Sequence, residues 1–351
     1  MKRYLTTTLL AGISLVQFSP AQAQAADSTA KQPEHYVIYE PTGTPKGKYI
    51  VFVTGDEEYR SEQGMPQLAK ILARHHGFRC SVHFAVDKKT GEINPNVRDN
   101  IPGLENLKGA DLMVIFTRFR NLPDQQMQHI VEYTESGKPI IGLRTATHAF
   151  NIGDKKSKYW HYTHRNNKWK GGFGEQVLGE RWVNHHGGHG SQSSRGLPAE
   201  GMEDHPILRG IAPKSIWDPS DVYGVRLPMQ KGIQPLVMGQ VLSGMKPDDE
   251  PLKAKEGAKR DKNNPMMPVA WLKTWSPSKD KQARVFTTTL GTSQGFTAEG
   301  TRRLLVNACY WALGMEELIA EKAKVGIVGE YKPTRFGFNK FTKGVKPADH
   351  R

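Results

Sequence analysis

Four short stretches hold the side chains able to do chemistry. Thr54–Arg60 (TGDEEYR) sets Asp56, Glu57, Glu58 and Arg60 in close succession. Neighbouring carboxylates raise one another's pKa, which suits one of them to proton transfer near neutrality. The competing reading is an acidic helix start that complements the helix dipole. Lys138–Asn151 (KPIIGLRTATHAFN) ends an apolar run in Arg144, Thr145, Thr147 and His148. A guanidinium there would hold a carbonyl or hydroxyl oxygen, and an imidazole would move a proton. Asn184–Gly190 (NHHGGHG) carries His185, His186 and His189. Neutral imidazoles can ligate zinc, but no Cys or carboxylate stands at partner spacing in that loop. Substrate hydrogen bonding or a solvated loop is therefore preferred, and no metal ligand is assigned. Finally, DPSDVYG places Asp218, Asp221 and Tyr223 in a turn that could reach a site.

Several familiar motifs are missing. No G-x-G-x-x-G follows the first strand and there is no Walker A, so a dinucleotide or nucleoside triphosphate is not supported. There is no H-E-x-x-H. Gly291–Gly295 matches G-x-S-x-G, but Phe296 and Thr297 separate it from the next helix, whereas a nucleophile elbow runs into its helix at once. It reads as a flexible loop over the sheet edge.

The elements that must position these residues follow from periodicity. Tyr49–Thr54 is a continuous β-rich apolar run, as expected of a strand buried on both faces. Met65–His76 has helical spacing and stops at Gly77, and Arg79–Val86 alternates as a strand. Asp111–Thr117 is a third strand, a helix runs from about residue 123 to Glu135, and Pro139–Leu143 is the fourth strand. This rhythm means βαβ units and a parallel sheet. The acidic stretch and the Arg144 loop then fall at strand carboxyl ends, where ligands bind in such sheets. Residues 151–201 form a long Gly-, His- and Trp-rich excursion of the kind that carries binding groups. Further strands are expected at Leu236–Val241, Val269–Leu272 and Arg284–Leu290, and a last helix at Ala298–Leu313.

The N-terminus (Lys2, Arg3, an apolar Leu5–Phe18 run, then Ala21–Ala25) has the form of a signal peptide. Residues 1–25 are read as leader, 26–48 as linker, 49–315 as one domain and 316–351 as a basic, partly packed tail. Export makes the location periplasmic or secreted, with no membrane span after cleavage. The net charge of +14 is dispersed, without aromatics interleaved among basic residues, so nucleic acid is not an expected partner. Cys80 and Cys309 are the two cysteines; a disulfide and two buried thiols are equally open.

Taken in order, VFVTGDEEYRSE, DLMVIF, YTESGKPIIGLRTATHAF, EDHPILRGI, DVYGV, MPVAW, ARVFTTTLG and RRLLVNACYWALG resemble the ThuA-like (trehalose utilisation) family, in an exported variant of planctomycete type. The resemblance spans about Tyr49–Gly314. It implies a class I glutamine amidotransferase-like, flavodoxin-like α/β fold: a mostly parallel sheet with helices on both faces. It also implies carbohydrate metabolism. Two positions depart from the family pattern. Arg144 stands where a His often follows the fourth strand, and Gly291-Thr292 where Gly-His often follows the last. No Cys lies near Arg144–Thr147, so glutaminase activity is not expected.

The expected function is action on a sugar or keto-sugar by acid/base chemistry. His148 or Glu58 would be the base and Arg144 the oxygen clamp. Glu57, Arg60, Asn184, His185, His186, His189 and Tyr223 would line the substrate site. The partner is a small carbohydrate, and no cofactor is expected. Two alternatives stay open. One is a non-catalytic carbohydrate-binding protein with Trp160, Trp169 and Trp182 as stacking surface. The other is a hydrolase with a divalent metal on the His185/His186/His189 loop.

Overall fold

The computed structural model describes Met1 and residues 34–351, apart from 255, 258 and 259. The leader and the first part of the linker lie outside the described residues. The chain divides into Met1–Lys31 and Gln32–Arg351, and every element below belongs to the second unit.

Twelve strands and three α-helices follow in chain order: β1 Tyr36–Tyr39, β2 Tyr49–Gly55, α1 Ser61–His76, β3 Arg79–His83, β4 Leu112–Thr117, α2 Asp124–Glu135, β5 Ile140–Leu143, β6 Asn184–His185, β7 Ser194–Pro198, β8 Ile216–Asp218, β9 Tyr223–Gly224, β10 Ile233–Val241, β11 Met267–Ser278, β12 Lys281–Thr288 and α3 Glu299–Ala312. Ten strands make one sheet in the order β1-β3-β2-β4-β5-β12-β11-β10-β7-β8, and β6 pairs β9 separately. Within it β3-β2-β4-β5-β12 are parallel neighbours. Numbered among themselves these five run 2-1-3-4-5, the flavodoxin-like order. The flanking pairs, β1 with β3 and β12 through β8, are antiparallel.

The apolar runs are continuous because both faces are covered. Along β2, Ile50 and Phe52 pack into one core cluster with α1 and α3, while Val51 and Val53 pack into the other with α2. A single strand thus alternates between two dry layers, and no position on it can be polar without a partner. α1 stops where expected: Gly77 takes a left-handed φ of 74° and donates its N–H to the Leu72 carbonyl.

One segment differs from the sequence reading and another is given its anchors. The 26–48 linker contains β1, whose register Tyr36↔His83 to Tyr39↔Cys80 adds an edge strand. The 316–351 tail is partly packed, anchored by the buried Ile319, Val325, Phe336 and Pro347 and by backbone hydrogen bonds. Val325 and Ala323 offer their carbonyls to Arg302 and Arg303, and Gly337 offers its own to Arg60. Ile93 N–H donates to the Val345 carbonyl, and Tyr39 OH to that of His350. The physical reason is acceptor demand. Arg60, Arg302 and Arg303 are buried cations, and a buried donor without an acceptor costs free energy. The tail backbone supplies those acceptors.

No helix among the described residues is long and apolar enough to cross a membrane. Cys80 and Cys309 are free, buried thiols within the same core cluster.

Candidate functional site

The carboxyl ends of β2, β4 and β5 turn sharply into their loops. Arg60, Phe119 and Arg144 each adopt positive φ there (62°, 50° and 42°). Non-glycine residues in this region cost free energy and persist only where the surroundings over-determine them. Each of these turns is held. The Asp56 carboxylate accepts from the backbone N–H groups of Glu58 and Tyr59, and from Thr145 Oγ1 at 2.5 Å. Phe119 N–H donates to the His148 carbonyl. The β2, β4 and β5 ends are thereby tied together.

Arg144 leaves β5 into a buried slot. Its guanidinium lies between the rings of Tyr59 and Tyr223, with Cζ 3.9 and 4.2 Å from the ring centroids. Nη1 donates to the Thr289 carbonyl at 2.6 Å, and Nη2 to Asp221 Oδ1 at 3.1 Å. Planar stacking and a forked donor set are what an Arg offers and a Lys does not. The cation is fully buried and so is the Asp221 side chain, so either one alone would be an unpaired buried charge. Arg144 is therefore a positioning residue for Asp221.

Asp221 carries two of the three loop imidazoles. His185 Nδ1 lies 2.7 Å from Oδ2 and His189 Nδ1 3.1 Å from Oδ1. The other nitrogen of His189, Nε2, is 3.2 Å from Glu58 Oε1. Glu57, one residue earlier, binds Arg118 Nη1 at 2.6 Å and Arg120 Nη2 at 2.7 Å. The result is a chain from Glu58 through His189 to Asp221 and on to His185. The two carboxylates are buried, while the His185 and His189 side chains are 41% and 39% exposed. Solvent and ligands therefore meet the imidazoles first.

The electrostatics follow from this layout. Burial pushes Asp221 up, but hydrogen bonds from His185 and His189 and the Arg144 charge outweigh it and hold the carboxyl well below its usual range. The hydrogen bond to Asp221 raises His189. Burial, then repulsion from Asp56, raises Glu58 against the opposing pull of Arg144, Arg118 and His189. His148 is pushed well below an ordinary imidazole by burial.

The β6–β9 pairing brings the loop to this place, setting Asn184 opposite Gly224 and His185 opposite Tyr223. His185 thus lies beside the strand that begins two residues after Asp221. A groove of about 710 Å³ adjoins it, lined by Asn184, His185, His186, Arg260 and Lys262 among others. A groove of similar size, about 760 Å³, lies at the opposite sheet edge by Lys48, Tyr49, Arg79 and Asp111, remote from these groups.

The expected site residues separate into three sets. Glu58, Arg144, His185, His189 and Tyr223 come together around Asp221. Glu57 and Arg60 lie just behind: Glu57 is spent on two arginines, and Arg60 points its guanidinium at the Glu57, Glu58 and Gly337 carbonyls. His148 is 3% exposed, packed among Phe119, Trp182 and Tyr223, so its ring forms part of the site's aromatic floor. His186 turns away, with Nε2 on the Lys262 carbonyl, and Asn184 sits on the groove rim. Trp182 packs against His148 and His185, whereas Trp169 packs with Tyr162 and Trp275 elsewhere. The three tryptophans are half-buried and do not form one surface. Ser293 donates to the Thr334 carbonyl and opens a 3-10 turn at residues 293–297, in keeping with a structural loop.

Sequence reasoning gave Asp221 as a turn residue that could reach a site but not as a site residue, although it is the hub. The signal was its place in DVYGV, one of the ordered family segments. Tyr59 lies in another of those segments, VFVTGDEEYRSE, whereas Arg118 and Phe336 had no such signal. Phe336 comes from the tail and packs on Tyr59 and His189, at ring centroid distances of 5.3 and 5.6 Å.

The sequence profile of the ThuA family, described as trehalose utilisation, matches residues 49–312. The chain belongs to the ThuA family. Similar solved structures include a putative ThuA-like protein from Parabacteroides merdae ATCC 43184. It is 15% identical, with a TM-score of 0.48 over 85% of this chain and 98% of that one. Another is from Bacteroides uniformis ATCC 8492, at 16% identity and a TM-score of 0.44 over 77% and 93%. No curated protein matches. The ThuA match ends at 312, so Phe336 reaches the site from outside it.

Proposed function

We propose that this ThuA-family protein acts on a sugar or keto-sugar by acid/base chemistry at the carboxyl edge of its sheet. The observation that carries the reading is the Asp221–His185 pair. A buried carboxylate orients the imidazole through Nδ1, and Nε2 has no hydrogen-bond partner among the described residues. This is the arrangement of an oriented general base. His189, raised by its hydrogen bond to Asp221 and lying between Asp221 and Glu58, is the second proton carrier, and Glu58 is its reservoir. Arg144 acts through Asp221 and does not touch the ligand. The family name points to carbohydrate, and the polar groove beside His185 suits a hydroxyl-rich molecule. Its volume is in the range of small-molecule sites.

The test has two arms. Thermal-shift screening with disaccharides and their 3-keto forms reads binding, and product formation reads turnover. His185→Ala should keep the sugar-induced shift and lose about 100-fold or more in turnover, within the range of general-base catalysis. If sugars bind but the wild-type protein turns none over, it is a binding protein. If no sugar shifts the melting temperature, carbohydrate is the wrong ligand class.

A further inference from the structure

We propose that Asp221, His185 and His189 form a three-ligand site for a divalent transition metal of the zinc class. One ligand atom from each lies within 4.8 Å of the others. Two of the separations are already short, 2.7 Å from His185 Nδ1 to Asp221 Oδ2 and 3.1 Å from His189 Nδ1 to Oδ1. Zinc bonds of about 2.0–2.2 Å in a tetrahedron set ligand atoms roughly 3.3 Å apart. These two contacts use different carboxylate oxygens, so gathering one atom from each residue on a single ion takes shifts of the two half-exposed imidazoles from spacings of up to 4.8 Å. Two imidazoles and one carboxylate form a nitrogen–oxygen set suited to zinc, cobalt or iron(II) rather than to calcium or magnesium. Three protein ligands leave a position open, as catalytic sites do.

The surroundings supply what such a set needs. With a metal on Nδ1, each imidazole keeps its proton on Nε2. For His189 that N–H points at Glu58 Oε1, 3.2 Å away, which is the carboxylate–histidine–metal pattern that fixes ring orientation. Asp221 is fixed by Arg144, which occupies Oδ1 and leaves Oδ2 facing His185. The loop is braced where it must be. Gly187 runs so close to the turn that a Cβ there would sit 3.0 Å from Val222 N and 3.1 Å from Asp221 Cβ. Gln192 Oε1 closes the loop onto Gly188 N–H at 2.6 Å. His186 is excluded by its bond to the Lys262 carbonyl.

The inference keeps the place of the ligand from the acid/base reading but changes its base: with a metal on Nδ1, His185 Nε2 stays protonated, and the base role passes to Glu58. A hydroxy-ketone sugar would offer an oxygen to the open position, and Glu58 would be the carboxylate at hand.

Metal binding is measured without sugar. Full-length protein is stripped with chelator and titrated with Zn²⁺ by calorimetry and with Co²⁺ by visible absorption. One ion per chain is expected, with the intense visible bands of four-coordinate Co²⁺. His185→Gln and His189→Gln should each weaken binding at least 100-fold. Glu58→Gln should weaken it about 10-fold through the His189 ring. His186→Gln should leave it unchanged. Asp221→Asn risks unfolding because it strands Arg144, so the exposed His185→Gln variant carries the test. No binding by folded wild-type protein, or equal binding by the His185→Gln and His186→Gln variants, would overturn the site. Metal binding without any sugar-induced shift would retain the site and sink the carbohydrate reading. Sugar binding without metal would do the reverse.

Discussion

At the residue scale, the site is a competition for one carboxylate. Asp221 is shared by a buried guanidinium and two half-exposed imidazoles, so its charge is stabilised from three sides. This sets a pH dependence. His189 titrates higher in the folded state than its ordinary 6.5. The folded protein therefore holds its proton more tightly, and the stabilisation is complete below about pH 6.5 and lost as pH rises through the folded value. Asp221 works the other way. Its depressed pKa stabilises the fold above its ordinary 3.8 and loses that contribution as pH falls below it. In chelator-treated protein, the melting temperature of wild type should exceed that of His189→Gln in mildly acidic buffer, and the gap should narrow as pH rises above about 6.5. A gap that widened over that range would contradict the assigned hydrogen bond to Asp221.

At the element scale, the parallel strands deliver three strained turns to one edge, and segments far away in sequence complete the site. The β6–β9 pair brings His185 against the strand that follows Asp221, and the tail brings Phe336 against His189. The tail is held by Gly337, whose carbonyl accepts from Arg60 and whose N–H donates to the Glu58 carbonyl at 2.7 Å. The acidic loop after β2 and the tail therefore hold one another. Phe336→Ala removes a ring that is 5% exposed and should cost about 3 kcal/mol in urea unfolding. It should also speed hydrogen exchange in both the 57–60 loop and the 331–339 tail. Faster exchange in the tail alone would mean that the two segments are independent.

At the scale of the whole molecule, the two cysteines report on the core. Cys80 on β3 and Cys309 on α3 are buried, and burial raises the pKa of both thiols, which suppresses the reactive thiolate. Native protein should show no rapid reaction with a thiol reagent, and denatured protein should show two reactive groups. A denatured count of zero without reductant would indicate a disulfide. Much of this molecule was readable from local pattern. The runs Ile50–Val53, Leu112–Phe116 and Ile140–Leu143 are apolar because they are dry on both faces, and Gly77 stops α1 because it takes a left-handed turn. Strand identity, the strand-end position of Glu58 and Arg144, and the fold class follow from such rules, since hydrophobic period and turn chemistry are properties of a few adjacent residues. Which groups share a site is decided by contacts between residues far apart in the chain. Arg144 looked like a ligand clamp, yet it faces Asp221, 77 residues on. His185, His186 and His189 looked alike, yet β6–β9 pairing turns two of them onto that carboxylate and one away. His148 sits on the expected loop but is sealed beneath aromatic rings. The basic tail reads as partly packed, and its anchors are the buried arginines that take its carbonyls. Sequence alone determined the scaffold and the strand-end address of the chemistry. The tertiary structure decided its hub, because the partners of a buried charge are chosen by three-dimensional packing and not by spacing along the chain.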